Sequence, residues 1–115
     1  MKREISVNQF KGIVMNSDEI FKSIIMPSVQ RANNEMPSFD LPNMDLSTPL
    51  YGVKGAILDS LNLVSFVFII EEEFLRATGK VLKITTQDVL NSEVAPFSSL
   101  STLRQFLQDK LESFG

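Results

Sequence analysis

Asp59-Ser60-Leu61 is the one arrangement in this chain with evident chemistry. It places a hydroxyl directly behind a carboxylate and just ahead of the apolar run Leu61 to Ile70. Read as a helix start, Asp59 is the N-cap, its carboxylate accepting from orphan backbone N–H groups. Ser60 is then the first or second helical residue. A helix N-terminus carries unpaired N–H groups and the positive end of the macrodipole, and both stabilise a phosphate. Ser60 is therefore suited to carrying a phosphoryl or phosphodiester group. It is poorly suited to attack: the chain has no histidine, and no Lys or Arg lies between Lys54 and Arg76. A serine without an adjacent base is a weak nucleophile. On these residues alone two readings stand, a simple helix cap and an attachment point.

Composition narrows the alternatives. With 115 residues and 43% hydrophobic content, the chain has the size and texture of one globular domain. It lacks cysteine and histidine, which removes disulfides, thiolate nucleophiles, the usual general base and the commonest metal ligands. No metal site is expected, and a non-enzymatic role is. The net charge is −3 and no basic cluster exceeds Lys2-Arg3, which argues against nucleic-acid binding. Met1 to Ser6 is charged and leads into no long apolar core, so no signal peptide is expected. The most apolar stretch, Leu61 to Ile70, is ten residues long, too short to span a bilayer. A cytoplasmic monomer is the expectation.

The elements that must position Ser60 read as helices. Residues 1–16 form an N-terminal extension whose order the pattern leaves open, and residues 17–115 form the domain. Asn16 and Glu19 have capping-box spacing, and Ile20, Phe21, Ile24, Ile25 and Val29 then recur at helical intervals. Pro27 inside that pattern is expected to kink or split the helix. From Met36 to Gly55, prolines and glycines among Ser, Asn and Asp predict a loop of roughly twenty residues. Phe39, Leu41, Leu46, Leu50 and Tyr51 suggest that parts of it pack back on the body.

The helix after Asp59 has its main stripe at Leu63, Phe66, Val67, Ile70 and Phe74, with Leu61, Val64 and Phe68 on roughly the opposite side. It ends near Ala77, with Gly79 as the stop. Lys80 to Ile84 is an extended link, and Thr86 to Asn91 a short helix. A last helix starts around Ser99 to Thr102, with Thr102 and Gln105 at capping-box spacing and Leu103, Phe106, Leu107 and Leu111 as its buried stripe. The predicted fold is all-α: a small four-helix bundle of three longer helices and one short one, with a long loop between the first and second.

Asp59-Ser60-Leu61, Val64 and Glu71-Glu72-Glu73-Phe74, in this helical order, resemble the acyl carrier protein family. The resemblance covers about Ser17 to Leu111. It implies that Ser60 receives 4′-phosphopantetheine from coenzyme A through a phosphopantetheinyl transferase, with Asp59 helping the transferase place its metal and coenzyme A. The arm's thiol would then carry acyl groups as thioesters, delivered and used by acyl-activating ligases, synthases or acyltransferases. The lack of cysteine fits, since the thiol arrives with the arm.

The chain departs from the family at informative positions. Fatty-acid carriers usually follow Asp-Ser-Leu with acidic residues that meet basic patches on partners; here Asn62 and Ser65 stand there, and Phe68 replaces a smaller residue. The expected partner-binding set is Leu61, Asn62, Val64, Ser65, Phe68, Glu71 and Glu72. The acidic run Glu71-Glu72-Glu73 is either a solvated face or a docking surface for basic partners. These departures point to a specialised carrier for a dedicated lipid, surface-polysaccharide or natural-product pathway. Two alternatives remain: an aminoacyl or hydroxyacyl carrier for surface-polymer modification, and a non-carrier helical interaction module docking through Val64, Phe68 and Ile69.

Overall fold

A computed structural model describes residues 15–36, 45–91 and 95–114. Among them lie four helices and no strand, so the fold is all-α, with a single isolated bridge between Pro49 and Ser99. We label the helices α1 (Ser17–Ile20, Phe21–Ile25 and Met26–Glu35, continuous), α2 (Ser60–Thr78), α3 (Thr86–Leu90) and α4 (Leu100–Phe114). No helix among the described residues is long and apolar enough to cross a membrane. Apart from Met15 and Asn16, the N-terminal extension lies outside the described residues, as do Phe39 and Leu41.

The expected capping box opens α1. The Asn16 side chain accepts from the Glu19 N–H at 2.8 Å, and the Glu19 carboxylate accepts from the Asn16 N–H at 3.0 Å. Pro27 neither splits nor ends the helix. The turn before it, Phe21–Ile25, is π-helical, and the Met26 N–H reaches back to the Phe21 carbonyl. A proline cannot donate to the carbonyl four residues earlier and crowds it. A widened π turn is a known place to absorb such a break.

The ends of α2 also follow their sequence signals. Asp59 caps the start, and Gly79, at φ 73°, closes the end with its N–H on the Leu75 carbonyl at 2.8 Å. That left-handed conformation is the one glycine adopts without penalty. The start of α4 falls a turn earlier than Thr102–Gln105 spacing suggests. Ser99 and Thr102 cap each other reciprocally, with the Thr102 N–H on Ser99 Oγ at 3.2 Å and the Ser99 N–H on Thr102 Oγ1 at 3.0 Å. Gln105 instead donates to Asp109 at 3.0 Å.

Two ring contacts tie α2 to α4 and its approach. Phe66, early in α2, meets Phe97, just ahead of α4, edge-on with centroids 6.3 Å apart. Phe74 meets Phe114 near their ends at 6.1 Å. Helix α1 lies across both. Its first turn hydrogen-bonds α4 through Ser17 and Gln108 at 2.9 Å, and its last turns reach α2 through Arg31. The shared core includes Ile20, Ile24, Val29, Phe66, Ile70, Phe74, Leu103 and Leu107, all fully buried.

Candidate functional site

Ser60 is held by a clasp in the connection before it. Leu50 is fully buried and Leu58 nearly so. Between them the chain turns through Gly52 (φ 79°) and Gly55 (φ 82°) and returns, with the Leu58 N–H on the Leu50 carbonyl at 2.8 Å. The outgoing side is laced to the approach of α4: Leu50 N–H to Ser98 O and Tyr51 N–H to Phe97 O, both at 2.9 Å. The Ser101 N–H donates to the Leu46 carbonyl at 2.9 Å. Leu46, Leu50 and Tyr51 thus pack back on the body as their apolar character suggests. The entry angle of α2 is fixed by buried leucines and backbone hydrogen bonds.

At the end of this clasp Asp59 Oδ1 accepts from the Asn62 N–H at 2.7 Å, and the Asp59 carbonyl takes the Leu63 N–H at 2.9 Å. Asp59 is therefore a true cap. Ser60 is the first helical residue and exposed. Its hydroxyl makes no hydrogen bond among the described residues. The first turn of α2 carries no acidic side chain, so an anion on Ser60 would meet the helix end with only Asp59 nearby in sequence to oppose it.

Ser60 sits at the rim of a groove of about 340 Å³ between α2 and α3. Leu63, Val64 and Val67 form one wall, Ile84, Val89 and Leu90 the other, with Tyr51 at the side and Thr85 and Thr86 supplying hydroxyls. Among the described residues, no charged side chain lines it. Its size is in the range of small-molecule sites. The α3 wall is braced by a capping box, the Thr85 Oγ1 accepting from the Asp88 N–H at 3.0 Å and Asp88 from the Thr85 N–H at 2.9 Å. That N–H chiefly holds the Asp88 carboxyl below its ordinary range. Lys110, 3.8 Å away, ties Asp88 to α4.

The expected partner-facing residues divide along α2. Leu61, Val64 and Phe68 are 78%, 67% and 58% exposed, and Ser65 is exposed with them. Asn62 is half-buried, its backbone taken by the cap. Ile69, expected on the same docking face, is instead buried in the core at 4%.

The acidic run is not a solvated face throughout. Glu73 is buried between Arg31 and Arg76. Burial pushes its carboxyl up, but the bonds from Arg76 and Arg31 outweigh this and hold it below the ordinary range. Glu72 pairs with Arg31 at 2.9 Å, and Glu71 accepts the Ile84 N–H at 2.8 Å, fixing the start of the groove's far wall. All three carboxylates have partners inside the fold.

Several of these features escape a reading of the sequence. The Thr85–Asp88 capping box sets the start of α3 at Thr86, as expected, while its end falls at Leu90, one residue before Asn91. The groove could not have been found that way, because Tyr51, Val67 and Leu90 come from three separate segments. No protein-family model, no curated protein and no solved structure matches the chain.

Proposed function

We propose that the chain is an acyl carrier protein that holds acyl intermediates as thioesters on 4′-phosphopantetheine attached to Ser60. The single observation that carries this reading is the position of Ser60: exposed, first in a capped helix, and at the rim of an uncharged groove. Those residues fit the group. The helix end favours the phosphodiester, and the apolar walls of Leu63, Val67, Ile84 and Val89 favour an aliphatic cargo over a charged aminoacyl one. When bound, the arm supplies the thiol that forms the thioester. The chain's own part is to present the Ser60 hydroxyl and hold the helix start rigid through Asp59, Leu50 and Leu58.

In loading, the Ser60 Oγ–P bond forms as the pyrophosphate P–O bond of coenzyme A breaks. Adenosine 3′,5′-bisphosphate leaves, and the hydroxyl proton passes to a base on the transferase. In this reading the four helices form the carrier bundle, the long connection before α2 presents Ser60, and the chain is a cytoplasmic monomer with no catalytic residues of its own. It serves a phosphopantetheinyl transferase and the ligase, synthase or acyltransferase of one dedicated pathway.

The test is an intact mass after incubation with coenzyme A and a phosphopantetheinyl transferase. The expected result is a gain of one phosphopantetheine group, absent from Ser60→Ala. No gain, or a gain that survives the substitution, removes the proposal.

The exposed stripe on α2 supports a second reading, a non-carrier interaction module in which Ser60 only begins a helix. In that case Ser60→Ala leaves function in cells intact, while Phe68→Ala weakens partner binding.

A further inference from the structure

The groove beside Ser60 has a neighbour. Tyr51, Val89 and Leu90 line the groove and also line a second cavity of about 210 Å³. Gly52, Val53, Ala95 and Phe97 belong to the second cavity alone. Among the described residues, no charged side chain lines either space. The two adjoin at the side chains they share, which stand as a partition between them.

Most of that partition and its surroundings are braced. Val89 and Leu90 sit on α3, which its capping box and the Lys110–Asp88 pair hold in place. Phe97 is buried against Phe66, and the Ala95 N–H donates to the Asn91 carbonyl at 2.7 Å. Tyr51 is anchored through its backbone, whose N–H donates to the Phe97 carbonyl at 2.9 Å. Its hydroxyl makes no hydrogen bond among the described residues, although a buried tyrosine usually finds one. The side chain is half-buried. It can turn between staggered positions without breaking a hydrogen bond to those residues.

We propose that Tyr51 sets which acyl chains the carrier shelters: short chains stop against its ring, and long chains turn the ring aside and run on into the second cavity. This rests on the carrier reading above. Walls without charge select an uncharged aliphatic chain. Each methylene that leaves water favours the sheltered form about fourfold. A few of them in the second cavity therefore outweigh the cost of turning one ring.

Tyr51 is the only tyrosine in the chain, which has no tryptophan, so tyrosine fluorescence reports this ring alone. The test loads the full chain from hexanoyl- or hexadecanoyl-coenzyme A through a phosphopantetheinyl transferase, with loading checked by intact mass. Quenching of the fluorescence by acrylamide is expected to match in the unloaded and hexanoyl forms and to change in the hexadecanoyl form. Cleavage of the thioester by hydroxylamine reads shelter directly, and the wild-type hexadecanoyl form is the slower to react. Tyr51→Trp thickens the partition and speeds cleavage of the hexadecanoyl thioester about tenfold or more, with the hexanoyl rate unchanged. Tyr51→Phe keeps the ring and leaves both rates as in wild type. Tyr51 lies outside every helix, so both variants keep the wild-type helical circular dichroism.

Equal quenching in the two loaded forms, or equal cleavage of both thioesters in the wild type, overturns the proposal. So does a Tyr51→Trp chain that cleaves the hexadecanoyl thioester at the wild-type rate. A Tyr51→Trp chain that speeds both cleavages alike makes the ring a fixed wall and overturns it too. In each of these cases the gain in mass at Ser60 leaves the carrier reading standing. No gain in mass from either derivative or from coenzyme A itself removes both.

Discussion

The Glu73 carboxylate, 2% exposed, lies 3.1 Å from the guanidinium of Arg31, a residue 42 positions earlier on another helix. Arg76 bonds its other oxygen, and Arg31 extends the network to Glu72 and Glu35. A carboxylate taken out of water is costly unless it is paired and hydrogen-bonded. Here the pairing joins α1 to α2 beside an otherwise apolar contact, so it selects how these helices meet.

Arg31→Ala is expected to destabilise the fold by about 1–3 kcal/mol, less than for a fully buried pair because Arg31 is partly open to water. The measurement is a urea midpoint that falls with an unchanged slope. Adding Glu73→Gln to Arg31→Ala recovers part of the loss, since the uncompensated carboxylate is then gone.

The same carboxylate sets an acid limb. Its folded pKa lies below the ordinary value of 4.5. Its contribution to stability is therefore fully present above about that pH and is lost as pH falls through the lower folded value. Thermal midpoints measured from pH 7 downward should hold until near pH 5 and then drop. In Glu73→Gln the drop is shallower, with Asp88, also held low, accounting for part of what remains.

Substitutions at Asp59 separate its two roles. Asp59→Ala removes the cap on the Asn62 N–H and costs about 1 kcal/mol. Asp59→Asn keeps a good cap and changes stability by only a few tenths of a kcal/mol. Loading slowed equally by both variants ties Asp59 to the transferase through its charge. Loading slowed only by Ala makes it a positioning residue acting through the helix start. Initial rates of mass gain decide between these outcomes.

Leu50→Ala opens a void where the clasp meets the core, at a fully buried side chain. The expected cost is about 2–5 kcal/mol, read from the urea midpoint. Val53→Ala, on the exposed turn of the same clasp, changes stability by less than about 0.5 kcal/mol.

How much of this was legible in the sequence depends on distance along the chain. The Asn16–Glu19 box, the Asp59 cap, the Gly79 stop and the split of α2 into a buried stripe and an exposed one are local patterns of period and capping, and they read directly. The burial of Glu73 does not, because nothing in Glu71-Glu72-Glu73 distinguishes the third acid until Arg31 is brought alongside. Ile69 falls in the core rather than on the expected outer face because α2 is apolar nearly all round, so its pattern alone does not mark the edge of the buried side. The groove depends on α3 and the Tyr51 turn meeting α2, which hydrophobic spacing does not encode.

The π turn at Phe21–Ile25 acts as a phase shifter. At about 100° per residue, an uninterrupted α-helix would set Ile20 and Ile24 on one bearing and Val29, Ala32 and Met36 on another, about a quarter turn or more away. One surplus residue in the widened turn rewinds the second half onto the first, and all five side chains end up buried. A single rod can then serve α4 with its first turn and α2 with its last. Winding the same residues as a regular helix, with none removed, would aim half of that apolar seam at water, whereas deleting one residue from the turn would keep the seam in line.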